Sequence, residues 1–536
     1  MVSSSPESAA IDLEVGSLRG LGYPADMETL EHDYDLIVIG SGPAGQSAAI
    51  QASKLHQRVA MVEKYPRVGG VCNFTGTIPS KTLREAIVEA VGPVGRNGGE
   101  WHLTRRPEMS DLLERVRQVM RSEASVVRDG LVRNDIEVIT AEASLVDPHH
   151  VRIVGDNEDR ILSTRHIMVA CGTVAASPPT GPSDGRRILT SDDIVKLEEL
   201  PSSLAVVGGG VIGVEYASIF AAAGVQVTLI DRRERLLDFV DREIVDELMH
   251  QMRNLDVTFR LGEAVARVEL FEEGNRTEVD LELESGKRIV SEAVLFSIGR
   301  TPVTDALGLG DAGVKTDDRG RIPVDESFRT NVPSVYAAGD VIGFPALAAT
   351  SSEQGRIAAC RMFGRDVSDF DKTYPYGIYA IPEISMCGAT EEALTGDRVP
   401  YEVGVARYRE TARGQIMGDD TGMFKMLFHR ETRKLLGVHC IGTHATELIH
   451  IGQAVISLGG DLDYFLNAVF NYPTLAEVYK IAAHNAANRL RHVRQPRDGG
   501  AGSRENEPVL TAEVPENDDP RPVPASRTTE RTESKD

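Results

Sequence analysis

Two glycine-rich segments have the residue types and spacing that bind a dinucleotide. Each segment follows an apolar run and holds three glycines in the pattern G-x-G-x-x-G, which the chain places at Gly40, Gly42, Gly45, Gly208, Gly210 and Gly213. In this pattern the first glycine permits a tight turn, the second lets the backbone approach a pyrophosphate, and the third lets a helix pack against its strand. The N-terminus of that helix then offers unpaired N–H groups to the phosphates.

An acidic residue follows each glycine segment at the same distance. Glu63 and Asp231 each stand 18 residues after the last glycine of their segment (63 − 45 and 231 − 213). An acid at the end of the next strand accepts a hydrogen bond from a ribose hydroxyl. One such motif is weak evidence, because a glycine-rich turn produces it too, but two copies in the same context predict two dinucleotide sites. A flavin in one and a nicotinamide in the other would allow hydride to pass between the rings.

Apolar periodicity predicts the elements that must hold these turns. The units Tyr34–Glu63 and Leu204–Asp231 both read as strand, turn, helix and strand, which makes them an internal repeat. Residues 109–133 have helical periodicity, and residues 136–154 alternate as strands do. From about residue 373 the pattern changes to strands followed by helices, which predicts a separate α+β domain. Its clearest predicted strands and helices are 423–428, 435–441, 444–458 and 474–490.

Composition excludes several classes of partner. The 536 residues include 81 acidic and 58 basic side chains, a formal net charge of −23. Such a chain repels phosphate backbones and anionic lipid, so we expect neither nucleic acid nor a membrane as partner. The five cysteines do not form a disulfide framework and fit a reducing compartment, so we expect a cytoplasmic protein. Residues 1–30 and 491–536 are predicted to be disordered.

Five further motifs accompany the glycine segments. They are Gly69-Gly70-Val71-Cys72 with Ile78-Pro79-Ser80-Lys81, Ala170-Cys171-Gly172-Thr173, Gly299-Arg300-Thr301-Pro302, Ala337-Ala338-Gly339-Asp340 and Tyr472-Pro473-Thr474-Leu475-Ala476-Glu477. With these motifs, residues 34–490 resemble the two-dinucleotide-fold flavoprotein oxidoreductases, the group that contains dihydrolipoamide dehydrogenase and glutathione reductase.

The resemblance implies an α/β fold with two Rossmann-like domains and a C-terminal dimerisation domain. It implies an FAD-binding domain in two parts, 31–174 and 300–370, an inserted NAD(P)-binding domain, 175–299, and a dimerisation domain, 371–490. One FAD per subunit would occupy the first site, and Asp340 would hold its ribityl chain. Lys81 would lie beside the isoalloxazine and pair with Glu215. Cofactor contacts are also expected at Gly172, Gly339, Gly299 and Arg300.

Two departures from the family pattern concern its disulfide chemistry. The disulfide reductases carry C-x-x-x-x-C beside the flavin, whereas this chain has Cys72 and then Thr77. Dithiol–disulfide exchange needs two sulfurs, so the usual reduction of lipoamide or glutathione is excluded. Tyr472 stands where the reductases have a catalytic histidine from the partner subunit, and a tyrosine that titrates near pH 10 is a poor base at neutral pH. Cys72 and Tyr472 remain candidates for flavin contact.

This combination of features resembles one subfamily, the soluble flavin-containing pyridine nucleotide transhydrogenases. It implies the reaction NADPH + NAD⁺ ⇌ NADP⁺ + NADH, in which both nucleotides use one nicotinamide site in turn. Two alternatives remain open. One is an NAD(P)H dehydrogenase that reduces a quinone or another diffusible acceptor, and the other is a catalytically idle flavoprotein that acts as a scaffold or sensor.

Accepting both nucleotides requires a partner for a 2′-hydroxyl and a partner for a 2′-phosphate. Asp231 suits the hydroxyl, and Arg232 and Arg233, with Arg235 close behind, suit the phosphate. The alternative is that these arginines are solvated loop charges. A second group of polar residues fits no standard zinc spacing, and we predict no metal site there. Its members are His439, Cys440, His444, Glu447 and His450.

Overall fold

The computed structural model describes residues 32–91, 106–156, 159–179, 181–273, 276–370 and 373–493. The terminal segments predicted to be disordered lie outside these ranges, except for residues 491–493. Within the described residues, no helix combines the length and the apolar character needed to cross a bilayer.

The strands are numbered β1 to β22 in chain order. Their bounds are Tyr34–Ile39, Val59–Glu63, Glu137–Thr140, Glu142–Asp147, His150–Val154, Asp159–Val169, Thr173–Ala175, Ile188–Thr190, Ser203–Val207, Gln226–Asp231, Thr258–Leu261, Val265–Glu273, Arg276–Leu283, Arg288–Ser291, Ala293–Phe296, Arg300–Pro302, Val335–Ala337, Tyr376–Ile378, Ile384–Gly388, Tyr401–Arg407, Met423–His429 and Leu435–Ile441.

The helices are numbered α1 to α12 in the same way. Their bounds are Pro43–Lys54, Gly70–Phe74, Thr77–Val91, Met109–Val132, Val211–Ala222, Arg242–Asn254, Ala348–Met362, Glu391–Gly396, Ala412–Met417, Ala445–Ser457, Leu462–Asn467 and Glu477–Val493.

The first sheet is built around β1, the strand that leads into the first glycine turn. Its order is β3-β2-β1-β6-β5-β4, with β17 also paired to β6. Strands β2 and β6 flank β1 in parallel, and residues 36–39 of β1 are buried. Helix α1 packs against α7 at very short range, because a Cβ on Gly355 would lie 2.1 Å from the carbonyl oxygen of Ala44. Only glycine allows that approach.

The second sheet repeats this arrangement around β9. Its order is β11-β10-β9-β15-β8, and all of its pairs are parallel. Helix α5 follows β9 and is buried along most of its length, which agrees with its nearly unbroken apolar sequence. The antiparallel sheet β12-β13-β14 contributes Val279, Leu281 and Leu283 to a core shared with Val294 and Phe296 of β15.

Two short antiparallel strands join the first sheet to the second. The chain leaves the first sheet after β6, forms β7, and later returns through β16 to β17, which pairs with β6 again. Strand β7 pairs with β16 so that Ala175 lies opposite Arg300. The strands of the second sheet therefore lie in sequence between two parts of the first sheet. The domain boundaries at 174/175 and 299/300 remain a prediction.

The C-terminal part is an antiparallel sheet with helices, as predicted. Its strand order is β18-β19-β22-β21-β20, and α10 and α12 contribute to its core. The predicted strands and helices of this part match β21, β22, α10 and α12 to within a few residues. The predicted helix at 109–133 is α4, and the predicted strands at 136–154 are β3, β4 and β5. The α/β fold class and the α+β C-terminal part are therefore confirmed.

A buried lysine connects the second sheet's helices to the C-terminal sheet. Lys425 of β21 is 1% exposed, and its ammonium donates to Asp241, Glu243 and Glu391. These three carboxylates are close enough together to hold a cation, and the lysine supplies that positive charge itself. Sequence reasoning did not find this cluster, because its members are separated by up to 184 residues.

His166 of β6 makes stability depend on pH. Its ring lies edge-on to Tyr336 and Phe363, with centroids 5.8 and 5.5 Å away. Burial and the charges of Arg165 and His149 lower the pKa of His166 to about 4. Since the unfolded chain takes up this proton near pH 6.5, the free energy of unfolding should decrease as the pH falls from 6.5 towards 4.

We therefore expect the melting temperature of the His166→Phe variant to fall less between pH 7 and pH 5 than that of the wild type. The phenyl ring keeps the aromatic contacts and cannot take up a proton. The matched control is His484→Gln, which changes an exposed histidine of α12. Identical pH profiles for wild type and His166→Phe, measured by thermal unfolding, would contradict this prediction.

Candidate dinucleotide sites

The first glycine turn has the backbone geometry that a dinucleotide phosphate requires. Gly40 has φ of 103°, and a Cβ there would lie 2.4 Å from the carbonyl oxygen of Ala170. A Cβ on Gly45 would lie 2.0 Å from the carbonyl oxygen of Gly40. A Cβ on Gly42 would meet no described atom within 4 Å. The first and third glycines are therefore required by close packing, and the second faces space that a phosphate can enter.

The second turn repeats these contacts. Gly208 has φ of 108°, and a Cβ there would lie 2.5 Å from the carbonyl oxygen of Ser297. A Cβ on Gly213 would lie 1.8 Å from the carbonyl oxygen of Gly208, and one on Gly210 would meet no described atom within 4 Å. Helices α1 and α5 begin directly after Gly42 and Gly210 without a side-chain cap. The N–H groups in the first turn of each helix, of which Pro43 contributes none, are thus available to an anion.

Both predicted ribose acids close their own glycine turn. Glu63 Oε2 accepts from the backbone N–H of Ser41 at 3.0 Å and from the Ser41 hydroxyl at 2.6 Å. Asp231 Oδ2 accepts from the backbone N–H of Gly209, which occupies the same position in the second turn. Both acids are buried at the ends of β2 and β10. The sequence suggested a ribose contact for each acid, and the structure adds this hydrogen bond to the turn.

The two adjacent arginines differ in what they contact. Arg233 donates from Nε to Asp231 Oδ1 at 3.0 Å and from Nη2 to Oδ2 at 2.9 Å. Arg232 is exposed and makes no ion pair with any other described residue. Burial raises the pKa of Asp231, but the hydrogen bonds from Arg233 and Gly209 outweigh it and hold that pKa below its usual value. Arg233 is therefore bound to the acid rather than free in the loop.

A chain of hydrogen bonds runs from the β7–β16 pair, which joins the two sheets, to Asp340. Arg300 donates from Nε to the Thr173 hydroxyl at 2.8 Å and from Nη1 to Asp192 at 3.2 Å. The Thr173 hydroxyl donates to Asp340 Oδ2 at 3.3 Å. Burial raises the pKa of Asp340 above its ordinary value. Arg300 thus contacts Asp340 through Thr173, and sequence reasoning assigned no separate role to Thr173 or Asp192.

Glycines with positive φ directly precede Thr173, Arg300 and Asp340 in the sequence. They are Gly172, Gly299 and Gly339, with φ of 67°, 124° and 81°. The Gly339 N–H donates to the Gln354 side chain at 2.9 Å, which holds the turn before Asp340 against α7. Gln354 had no signal in the sequence, since it lies in the middle of a helix outside every motif.

Lys81, Glu215 and Tyr379 come from three different parts of the chain and meet at one point. Lys81 Nζ lies 3.0 and 2.8 Å from the two carboxylate oxygens of Glu215. Glu215 Oε1 also accepts from the Tyr379 backbone N–H at 2.8 Å, and Lys81 Nζ lies 4.9 Å from the centre of the Tyr379 ring. The Glu215 side chain is 5% exposed, so the lysine supplies a necessary countercharge. Tyr379 was not among the predicted site residues.

Cys72 lies in α2, Thr77 is the first residue of α3, and their side chains are hydrogen-bonded. Burial raises the pKa of the Cys72 thiol, and a hydrogen bond with the Thr77 side chain opposes that shift only in part. A thiol with a raised pKa is neutral at pH 7 and is a weak nucleophile. The position of the second sulfur is thus taken by a hydroxyl group that hydrogen-bonds the first.

Tyr472 lies on the segment between α11 and α12 and is 74% exposed. Val469 on the same segment is also largely exposed. At the start of α12, Glu477 has one buried carboxylate oxygen without a hydrogen-bond partner among the described residues. Large apolar side chains exposed together on one segment mark a surface that another molecule covers.

Comparison with known proteins agrees with this geometry. A family model described as pyridine nucleotide-disulphide oxidoreductase matches residues 34–355, and the dimerisation domain of the same family matches residues 374–483. A protein named soluble pyridine nucleotide transhydrogenase from Mycobacterium bovis is 50% identical over 468 residues, which covers 86% of this chain and 99% of the relative. One with the same name from Azotobacter vinelandii is 44% identical over 467 residues, with the same coverage.

Two solved structures superimpose on most of this chain. RclA from Escherichia coli, described as an HOCl-induced flavoprotein disulfide reductase, superimposes with a TM-score of 0.76 at 26% identity. LpdA from Mycobacterium tuberculosis superimposes with a TM-score of 0.77 at 25% identity. Each covers 84% of this chain and 99% of the solved chain. With its two glycine turns and both family models matched, this chain belongs to the pyridine nucleotide-disulphide oxidoreductase family.

Proposed function

We propose that this chain is a flavoprotein transhydrogenase that catalyses NADPH + NAD⁺ ⇌ NADP⁺ + NADH. The observation that carries the proposal is the Cys72–Thr77 pair, because two dinucleotide turns are intact while the second sulfur of a disulfide reductase is replaced by a hydroxyl. Without that sulfur, electrons leave through the flavin ring itself. The names of the relatives at 50% and 44% identity support the same reaction.

The first turn suits FAD, because a Cβ on Gly42 would meet no described atom within 4 Å and α1 begins there without a side-chain cap. The Glu63 carboxylate would accept a hydrogen bond from a ribose hydroxyl of FAD, and the Asp340 carboxylate would accept one from a hydroxyl of the ribityl chain. Bound FAD supplies the group that takes up and returns a hydride. Lys81, held by Glu215 and Tyr379, would place a positive charge beside the isoalloxazine.

The second turn would serve NADPH and NAD⁺ in succession. One nicotinamide site implies a ping-pong sequence in which NADP⁺ leaves before NAD⁺ enters. Hydride transfer between stacked rings needs no protein acid or base, so the residues of this chain orient the nucleotide and exclude water. The neutral thiol of Cys72 is consistent with a packing role beside the flavin.

Assembly and location complete the proposal. The exposed side chains of Val469 and Tyr472 would be covered by a second copy of the chain, so that Tyr472 reaches the flavin of the partner. We propose a homodimer in the cytoplasm, where both nucleotide pools are available. The substrates are small nucleotides, and the strongly acidic surface disfavours nucleic acid and anionic membranes.

The two half-reactions test the function directly. Anaerobic mixing of the FAD-loaded enzyme with NADPH should bleach the oxidised flavin absorbance within milliseconds to seconds, and NAD⁺ should then restore it at a similar rate. The measurement is stopped-flow absorbance, with a thio-analogue of NAD⁺ as an independent acceptor. If the bleached enzyme reacts rapidly with quinones and not with NAD⁺, the chain is a dehydrogenase and the proposal fails. Absence of bleaching would indicate an idle flavoprotein.

Replacement of Cys72 by serine separates ring chemistry from thiol chemistry. We expect the Cys72→Ser variant to keep steady-state transhydrogenase activity within a few-fold of the wild type, because the sulfur does not carry electrons. The control is Cys360→Ser, which changes a buried cysteine of α7. Loss of turnover in Cys72→Ser with FAD still bound, and not in the control, would show that the thiol takes part in the reaction.

The ion pair of Lys81 and Glu215 should show strong energetic coupling. Lys81→Met leaves the buried Glu215 carboxylate without its countercharge and should destabilise the protein by about 3 kcal/mol. Adding Glu215→Gln should remove most of that loss, because the amide keeps the acceptor for Tyr379 N–H and carries no charge. Urea unfolding of the FAD-loaded enzyme measures both effects.

The same variants report on the flavin. Lys81→Met should lower the flavin reduction potential, since a positive charge beside the reduced ring is lost. Lys54→Met, at the exposed end of α1, is the control for loss of a lysine. Strictly additive stability losses for Lys81→Met and Glu215→Gln, with an unchanged potential, would contradict the proposed role of the pair.

A further inference from the structure

The two dinucleotide turns differ in the residue that stands two positions after the acid. In both copies this residue donates its backbone N–H to the acid, from Tyr65 to Glu63 at 3.1 Å and from Arg233 to Asp231 at 2.7 Å. Tyr65 offers no charge, and the nearby Lys64 ammonium lies over the Tyr65 ring at 5.0 Å. Arg233 instead turns its guanidinium back onto the acid. At this position the two copies therefore differ in whether a guanidinium pairs with the acid.

The guanidinium occupies the remaining acceptor capacity of Asp231. Oδ1 accepts from the backbone N–H and Nε of Arg233, and Oδ2 accepts from Nη2 of Arg233 and from the N–H of Gly209. These four donors match the four lone-pair sites of a carboxylate. The bidentate pairing also balances the negative charge, and Asp231 is 6% exposed.

Arg233 keeps donors for a second anion while it holds Asp231. A guanidinium has five N–H groups, and two of them are used on the carboxylate. Its side chain is 43% exposed, and Nη1 lies 3.9 Å from Asp238, beyond hydrogen-bond distance. Arg232 is exposed beside it and makes no ion pair among the described residues. The pair thus presents an ionised carboxylate whose charge the guanidinium balances, together with N–H groups of Arg233 that the carboxylate does not use.

A 2′-hydroxyl and a 2′-phosphate make opposite demands on this pair. A phosphate carries roughly −1.5 to −2 charge at pH 7 and is repelled by an unpaired carboxylate, but not by one that an arginine neutralises. A ribose hydroxyl donates to a carboxylate, so it must compete with Arg233 for a saturated Asp231. Glu63, which pairs with no arginine in the part of the chain that the structure describes, suits a nucleotide with a free ribose.

We propose that Arg233 is the residue that lets one acidic ribose site accept both NADP(H) and NAD(H). It stays on Asp231 and donates its remaining N–H groups to the 2′-phosphate of NADP(H), with Arg232 beside it. With NAD(H), the 2′-hydroxyl takes over part of the Asp231 carboxylate from the guanidinium. This inference rests on the proposed function. It assigns recognition of NADP(H) to Arg233 and recognition of NAD(H) to Asp231, which together form one ion pair.

Nucleotide binding to the FAD-loaded protein tests the assignment without turnover. Isothermal titration of Arg233→Ala with NADP⁺ should give a Kd about tenfold to a hundredfold higher than that of the wild type. The variant loses the charge-assisted hydrogen bonds to the phosphate, and the Asp231 carboxylate is left without its ion-pair partner. The Kd for NAD⁺ should stay the same or fall. Asp231→Asn should do the reverse, raising the Kd for NAD⁺ and leaving that for NADP⁺ unchanged or lower. Arg267→Ala, at an exposed arginine of β12, is the control and should change neither.

The outcomes separate this inference from the proposed function. If Arg233→Ala loses affinity for NADP⁺ and NAD⁺ by the same factor, the inference is overturned. The proposed function still holds if the wild type binds both nucleotides and completes both half-reactions. A wild type that binds only one nucleotide overturns the function itself. If Arg233→Ala does not fold, Arg233→Lys decides, because it keeps the charge and loses the bidentate geometry. It should weaken NADP⁺ binding by a smaller factor and spare NAD⁺, and an equal loss of both would again overturn the inference.

Discussion

A carboxylate that accepts the N–H of a glycine turn holds each dinucleotide site of this protein in shape. The turns are closely packed, because a Cβ at Gly45 or Gly213 would lie 2.0 or 1.8 Å from a carbonyl oxygen. The buried N–H groups of Ser41 and Gly209 at these turns need an acceptor, because a buried unpaired N–H is costly. Glu63 and Asp231 satisfy one such donor each, and this places a negative charge at the ribose end of both sites.

The net charge around each of these acids then determines whether the site can bind a ribose with a 2′-hydroxyl or one with a 2′-phosphate. In the first copy the acid accepts a backbone N–H from Tyr65, and in the second the same position is an arginine whose guanidinium also pairs with the acid. The same dependence on paired charge recurs where the chain's parts meet. Lys81 pairs with Glu215, which also accepts from the Tyr379 N–H, and Lys425 donates to three carboxylates of α6, its N-cap and α8. The Lys81–Glu215 pair and the bonds of Lys425 to Asp241 and Glu243 each join segments more than a hundred residues apart, so buried paired charges help to hold the sheets together.

Sequence patterns predicted the elements well wherever a local rule applied. The glycine spacing predicted both β-α-β units, and the apolar periodicity predicted α4, α10 and α12, because side-chain burial on one face of an element repeats with the element's own period. Lys81 and Glu215 were paired through the family resemblance rather than through any pattern in the residues. Thr173, Asp192, Gln354 and Tyr379 were missed because their contacts join positions that are distant in sequence.

The amino-acid sequence by itself determined that two dinucleotide turns exist and that a second sulfur is absent, because glycine spacing and residue identity are local properties of the chain. Tertiary structure alone decided which charges are neutralised. Arg232 and Arg233 are neighbours with the same side chain, yet only Arg233 is bound to Asp231. The direction of a side chain depends on the turn that carries it and on the buried carboxylate it can reach, and neither is encoded in the order of the residues alone.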